Sequence, residues 1–212
     1  MPTDPPRATA PSTGAPAAAN GAADFALLGI AGSLREGSRN RALMREAARV
    51  FAPAAFVEAD LRLPLYDGDL QRAEGIPAEV ARLAAQIAAA DAVVIAGPEY
   101  NKGISGVLKN ALDWVSRTEG APWRGKPVAL MSATAGRSGG ERAQTMMRQC
   151  LVPFGPRLLT VSELLVAGAA EAFDVEGRLA SPRYATRLQE LMDALRAEAE
   201  LVRLAATSNA SG

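Results

Sequence analysis

The sequence predicts an α/β fold: a doubly wound, five-stranded parallel sheet with helices on both faces. Three observations lead there. Continuous apolar runs of strand length alternate with helical apolar patterns along most of the chain. No two of those runs are joined by a hairpin turn, so right-handed crossovers make the strands parallel. The loops after the first, third and fourth runs then share the carboxyl edge of the sheet, where open α/β sheets bind ligands.

The elements follow in order. Phe25–Ala31 is the first strand, stopped by G-S-L-R-E-G-S at Gly32–Ser38. A helix from about Arg39 to Val50 faces inward through Leu43, Ala47 and Val50, with Ser38 as its N-cap. Phe56–Leu61 is the second strand, and Arg62–Gln71 reads as a turn-rich loop containing P-L-Y-D-G-D-L. Pro77 suits the first turn of a helix to about Ala90 that faces inward through Val80, Leu83, Ala84 and Ile87. Ala92–Ala96 is the third strand. The next helix, Ser105–Arg117, carries a core-facing stripe of Ile104, Leu108, Ala111 and Val115. Pro127–Ser132 is the fourth strand and Glu141–Leu151 a helix. Leu158–Val166 carries the last strand signal, with a candidate break near Ser162. A closing helix from Pro182 to Ala206 is marked by Tyr184, Leu188, Leu191, Leu195 and Val202.

Composition narrows the function. Twenty-three basic and 23 acidic residues balance to zero net charge, which is not the basic footprint of a nucleic-acid or membrane-surface binder. The chain has no histidine and one cysteine, Cys150. His-ligated metals, His bases, internal disulfides and thiolate metal sites are thereby excluded, and no metal site is expected. These features fit a reducing cytoplasm. No run approaches the roughly 18 apolar residues that would span a membrane. Residues 1–23, rich in Ala and Pro, read as a disordered tail, 24–206 as one domain, and 207–212 as a second disordered tail.

Three loops carry the chemistry. In Gly32–Asn40, Ser33 and Ser38 offer hydroxyls, Arg35 a charged fork and Asn40 an amide, beside a helix N-terminus that favours an anion. A phosphate monoester is the natural occupant. Ser38-Arg39 stands where a Walker A loop needs Lys followed by Ser or Thr, and the G-x-G-x-x-G spacing is absent. Taken alone, this loop reads as a capped helix with a solvated arginine. In the second loop, G-P-E-Y-N-K-G at Gly97–Gly103, Tyr100 offers a flat ring and Asn101 an amide, suiting a planar polar heterocycle. The third, Ser132–Gly140, has three glycines within five positions, which shape a backbone to a flat ligand or simply make a flexible connection.

The segments G-S-L-R-E-G-S-R-N-R-A-L at 32–43 and P-E-Y-N-K-G-I-S-G-V-L-K-N-A-L-D-W-V-S-R at 98–117 resemble the two signatures of the NAD(P)H-dependent FMN reductases. That flavodoxin-like group includes quinone, azo-dye and chromate reductases, and the resemblance covers about residues 24–165. It implies that Ser33, Arg35, Ser38 and Asn40 hold the FMN phosphate. Pro98, Glu99, Tyr100 and Asn101 would line the isoalloxazine, with Ser132 and Gly136 closing the other side. It further implies NAD(P)H as hydride donor, a small-molecule acceptor (quinone, flavin, azo compound or metal oxyanion), and a homodimer or homotetramer. No side chain is assigned as catalytic acid or base, because a flavin carries its own redox chemistry. Two departures stand out. Lys102-Gly103 replaces the Gly, His or Ser often found there, and Arg137-Ser138 interrupts a run that is often richer in glycine. Lys102 and Arg137 are the candidate cations for the 2′-phosphate that distinguishes NADPH from NADH. Two further readings are a flavodoxin-like electron carrier, which a neutral chain with Arg35 fits poorly, and a flavin-binding module without turnover.

Other residues have ordinary readings. Lys109 and Asp113 form either a surface pair or, with Asn110 and Trp114, part of a subunit contact. Tyr66 and Asp67 belong to a turn whose counterpart in the resembling family lies near the flavin mouth. Cys150 is expected as a small buried hydrophobe and Trp123 as a packing residue.

Overall fold

A computed structural model describes residues 25–161 and 163–210. The expected 1–23 tail therefore lies outside the described residues, as do positions 211–212. The parallel sheet runs β2-β1-β3-β4-β5, the flavodoxin-like strand order. β1 (Ala26–Ala31), β3 (Ala92–Ala96) and β4 (Pro127–Ala133) form its buried centre, and β2 (Ala55–Glu58) is one edge. The other edge holds two short strands, β5 (Arg157–Leu158) and β6 (Leu164–Val166). Both pair with β4, β5 at Pro127-Val128 and β6 at Met131–Ala133. They share one position in the sheet, beside β4; the expected break at Ser162 lies outside the described residues.

Alternation along the central strands decides which helices sit where. Leu27, Ala92, Val94, Ala96, Ala129, Met131 and Ala133 point to one face, where α1 (Arg39–Phe51) and α6 (Pro182–Ala210) pack. Many of those residues are alanine, so the helices approach the sheet closely. At Gly29 an added Cβ would lie 2.7 Å from Met44 Sδ. Leu28, Ile30, Val93, Ile95, Val128 and Leu130 point to the other face, against α3 (Ala78–Ala89), α4 (Gly106–Val115) and α5 (Glu141–Leu151).

The structure extends the expectations in three places. Arg62–Gln71 is not wholly a loop: α2 (Gly68–Glu74) begins in it, with the Asp67 carboxylate accepting from Asp69 N at 2.8 Å. That helix buries no residue, so it has no apolar stripe to announce it. The closing helix runs to Ala210, past the expected boundary at 206 and into the stretch read as a tail. On α1, Met44, Ala48 and Phe51 are buried along with Leu43 and Ala47, whereas Val50 is half-buried.

The segment before α2 is fastened to α4. Asn110 donates through Nδ2 to Pro64 O at 2.9 Å and accepts from Tyr66 N at 2.8 Å. Trp114 Nε1 donates to the same Pro64 carbonyl at 2.8 Å, and its ring meets Tyr66 edge-on at 5.0 Å. Asn110 and the fully buried Trp114 thus serve an internal contact, while Lys109 and Asp113 are an exposed ion pair at 2.6 Å. Trp123 is buried as expected, and Cys150 is half-buried against the same core. Asn110→Ala removes two hydrogen bonds from a half-buried loop. Chemical denaturation is expected to show a loss of about 1–3 kcal/mol.

Candidate functional site

A cleft of about 500 Å³ opens at the carboxyl edge of the sheet, where the chain leaves β1 toward one face and β3 toward the other. This strand-order reversal places ligand sites in such folds. The strands stay in register up to the cleft floor: Gly32 N donates to Ala96 O at 2.9 Å and Gly97 N to Met131 O at 3.0 Å. Gly32 suits this close approach: a Cβ there would stand 3.2 Å from Pro98 Cδ and 3.3 Å from Gly97 Cα, tighter than ordinary contact.

Seven of the ten residues read from the sequence line the cleft: Ser33, Arg35, Ser38, Asn40, Pro98, Glu99 and Tyr100. Ser38 caps α1 by accepting from Arg41 N at 3.3 Å, and the first turn of α1 contains no acidic residue. The other first-turn N–H groups lack intrahelical partners by construction. Ser33 and Ser38 are nearly buried beside them. The exposed Arg35 guanidinium makes no hydrogen bond or ion pair among the described residues. Hydroxyls, a guanidinium without a partner among the described residues, and a helix N-terminus with no acidic residue in its first turn form a donor set suited to a phosphate monoester.

Asn40 has a different principal task. Its Nδ2 donates to Ala133 O at 2.8 Å and its Oδ1 accepts from Ala133 N at 2.9 Å. The side chain imitates a neighbouring strand and locks the start of α1 to the end of β4. One Nδ2 hydrogen remains for the cleft.

The second loop is a tight hairpin. Tyr100 N and Gly103 O, and Gly103 N and Tyr100 O, exchange hydrogen bonds of 3.0 Å each. Asn101 at φ 49° and Lys102 at φ 67° occupy its tip, the backbone signature of a type I′ turn. Asn101 is exposed there and does not line the cleft. Glu99 reaches across to α5, whose N-cap, Gly140, has no side chain. Its Oε2 accepts from Arg142 N at 3.1 Å and Ala143 N at 3.2 Å, capping the helix from another loop.

Ser132 and Gly136 do not line the cleft. Ser132 is fully buried behind it, donating to Gly139 O at 2.6 Å and accepting from Gln144 Nε2 at 3.3 Å. Its place in the cleft wall is taken by its neighbours Ala133, Thr134 and Ala135. Gly136 is exposed, and a Cβ there would meet nothing closer than Thr134 Oγ1 at 4.0 Å. The constrained glycines are Gly139 (φ 64°) and Gly140 (φ 95°). Added Cβ atoms would lie 2.7 Å from the Leu165 carbonyl carbon and from Ser132 Oγ respectively.

Arg39, Gly37, Ala133–Ala135, Ala169 and Ala170 complete the lining and escaped the sequence reading. Arg39 donates to Ala170 O at 3.0 Å and stacks 5.9 Å over Phe173, drawing the loop after β6 across the cleft. Alanines carry no chemical signal, and Arg39 reads as one more surface cation until its partner from 131 positions away is seen.

With this geometry established, residues 25–171 match the family described as NADPH-dependent FMN reductase. The chain belongs to that family. The chain is 44% identical over 174 residues to an NAD(P)H-dependent FMN reductase of Pseudomonas aeruginosa, covering 81% of this chain and 94% of the relative. A quinone reductase of Escherichia coli is 46% identical over 127 residues, covering 58% of this chain and 67% of the relative. Among solved structures, a flavoenzyme NAD(P)H:(acceptor) oxidoreductase of Paracoccus denitrificans superimposes with a TM-score of 0.75 at 31% identity. That match covers 83% of this chain and 97% of the other.

Among the described residues of this FMN reductase family member, no group of acidic, histidine or cysteine side chains could hold a metal ion. No described helix is long and apolar enough to cross a membrane.

Two substitutions probe the walls. Asn40→Ala strands a buried N–H and C=O on β4 and is expected to cost about 2–4 kcal/mol in denaturant unfolding. Gly139→Ala is expected to destabilise by more than about 2 kcal/mol, whereas Gly136→Ala changes stability by less than about 0.5 kcal/mol. Equal effects of the two glycine changes would contradict the loop geometry.

Proposed function

We propose that this chain is an FMN-dependent NAD(P)H oxidoreductase that passes reducing equivalents to a small acceptor. A quinone is the leading candidate, with free flavin, an azo compound or a metal oxyanion as further members of the acceptor class. The observation that carries the reading is the donor set at α1: two nearly buried serines, an Arg35 guanidinium without a partner among the described residues, and a helix N-terminus with no acidic residue in its first turn, all at one cleft. The family membership and the names of the relatives support the same chemistry.

In this reading Ser33, Arg35 and Ser38 bind the phosphate of FMN, and the remaining Asn40 hydrogen faces the same group. Pro98, the Tyr100 segment and Ala133–Ala135 supply the surfaces that flank the ring. Glu99 holds the second loop against α5, which keeps those surfaces at a set separation. When bound, FMN would accept a hydride equivalent from the nicotinamide and deliver electrons to the acceptor. The protein binds and orients, and because the outer side of the site is open, solvent can supply the proton that the acceptor takes up, so no side chain here needs to move one. The half-exposed Tyr100 leaves the outer side open, as a site used in turn by two substrates requires.

The same reading includes assembly as a homodimer or homotetramer in the cytoplasm. An apolar cleft lined by Leu34, Leu63, Pro64, Leu65 and Val107, with Leu65 82% exposed, lies beside the site and supports a subunit contact. Light scattering of the purified protein reads that state directly, and a monomer at micromolar concentration would contradict it.

The activity is tested by recording the visible spectrum of the protein with FMN before and after anaerobic addition of NADPH or NADH. Bleaching of the bound-flavin band, with turnover restored by a quinone, is the expected result. Bound flavin that neither nucleotide reduces would reject the oxidoreductase reading. Arg35→Gln is expected to weaken FMN roughly tenfold or more, the loss of one charge-assisted phosphate contact.

A further inference from the structure

Lys102 occupies a position that its own backbone disfavours. It is the second central residue of the type I′ turn, at φ 67°, where glycine is preferred and a Cβ is strained. Its side chain is exposed and makes no hydrogen bond or ion pair among the described residues. Nothing in the fold repays the strain, which is the situation in which a functional role is the appropriate hypothesis.

The turn is fixed relative to α5. Met146 Sδ accepts from Ile104 N at 3.5 Å, and a Cβ at Gly103 would sit 3.0 Å from that sulfur. One helical turn earlier on the same face of α5 stands Arg142. Its backbone N–H is held by Glu99, but its exposed guanidinium likewise has no partner among the described residues. Two cations from different elements therefore stand just outside the cleft lining: Lys102 two positions after Tyr100, which lines the cleft and is 49% exposed, and Arg142 with its backbone N–H on the lining residue Glu99. Neither nearby acidic group pairs with them: Glu99 caps α5, and the exposed Glu141 makes no ion pair among the described residues.

We propose that Lys102 and Arg142 form the phosphate-binding rim for the nicotinamide dinucleotide, making them specificity-determining residues for the hydride donor. This rests on the flavin reading above. The ligand chemistry is a phosphate group, supplied either by the pyrophosphate common to NADH and NADPH or by the 2′-phosphate of NADPH alone. In that reading Arg35, on the loop after β1, serves the flavin phosphate, so the two anions are held by different loops.

The test uses full-length, FMN-loaded protein and the variants Lys102→Gly, Arg142→Gln and the pair. Flavin content and the bound-flavin spectrum are recorded first, and a wild-type protein that does not take up FMN would defeat the underlying reading rather than this one. Lys102→Gly should raise KM for the dinucleotide about fivefold to tenfold, and the double variant further, with kcat and the acceptor KM unchanged. The same substitution should raise the melting temperature by roughly 2–4 °C, because glycine relieves the turn. A purely structural lysine could not give a more stable enzyme with weaker donor binding. A KM rise for both nucleotides assigns the pyrophosphate to the rim, and a rise for NADPH alone assigns the 2′-phosphate. Unchanged donor KM in the double variant, or a change confined to the acceptor KM, would overturn the proposal.

Discussion

Two hydrogen bonds between the Asn40 amide and the Ala133 backbone hold the rest of the site in place. They join the N-terminus of α1 to the carboxyl end of β4, across 93 positions of sequence. Without them the turn before α1 and the wall formed by Ala133–Ala135 would have no fixed spacing. An amide suits this junction because it supplies one donor and one acceptor in the geometry of a strand. A carboxylate of the same shape would bring a buried charge and lack the donor.

Glu99 makes the corresponding junction on the opposite side. Its carboxylate is placed against first-turn N–H groups that Gly140 cannot cap, so the helix dipole offsets its charge. The cleft is consequently bounded by two loops that are each tied to an element other than their own strand. Ser132 and Gln144 continue the fastening behind it, where Gln144 Nε2 also donates to Leu164 O at 2.9 Å. The polar residues nearest the site thus divide into those that face the ligand space and those that hold the backbone around it.

That division explains what was legible in the sequence. Strands and helices were readable because both faces of the sheet are covered, which gives continuous apolar runs and clear helical stripes. α2 was hidden because it buries nothing, and D-G-D looks like a turn whether or not a helix starts there. Within the site, the serines, Arg35 and the Pro98–Tyr100 segment could be placed because loop position and residue type both pointed to the cleft. Ser132 and Gly136 could not, since the direction of a side chain at a strand end depends on register. The importance of Gly139 and Gly140 depends on Leu165 and Ser132 packing against them, contacts that appear only in three dimensions. The sequence points to Asn40 and Glu99 as candidate site residues, but not to their partners, which lie 93 and about 43 positions away.

The central claim is that a phosphate group, gripped at α1, anchors the planar ligand in this cleft. Parallel titrations of the purified protein with FMN and with riboflavin test it most directly, because the two differ only in that phosphate. A dissociation constant for FMN at least about a hundredfold lower, about 2.7 kcal/mol, is the predicted result. Equal affinity for the two flavins would contradict it.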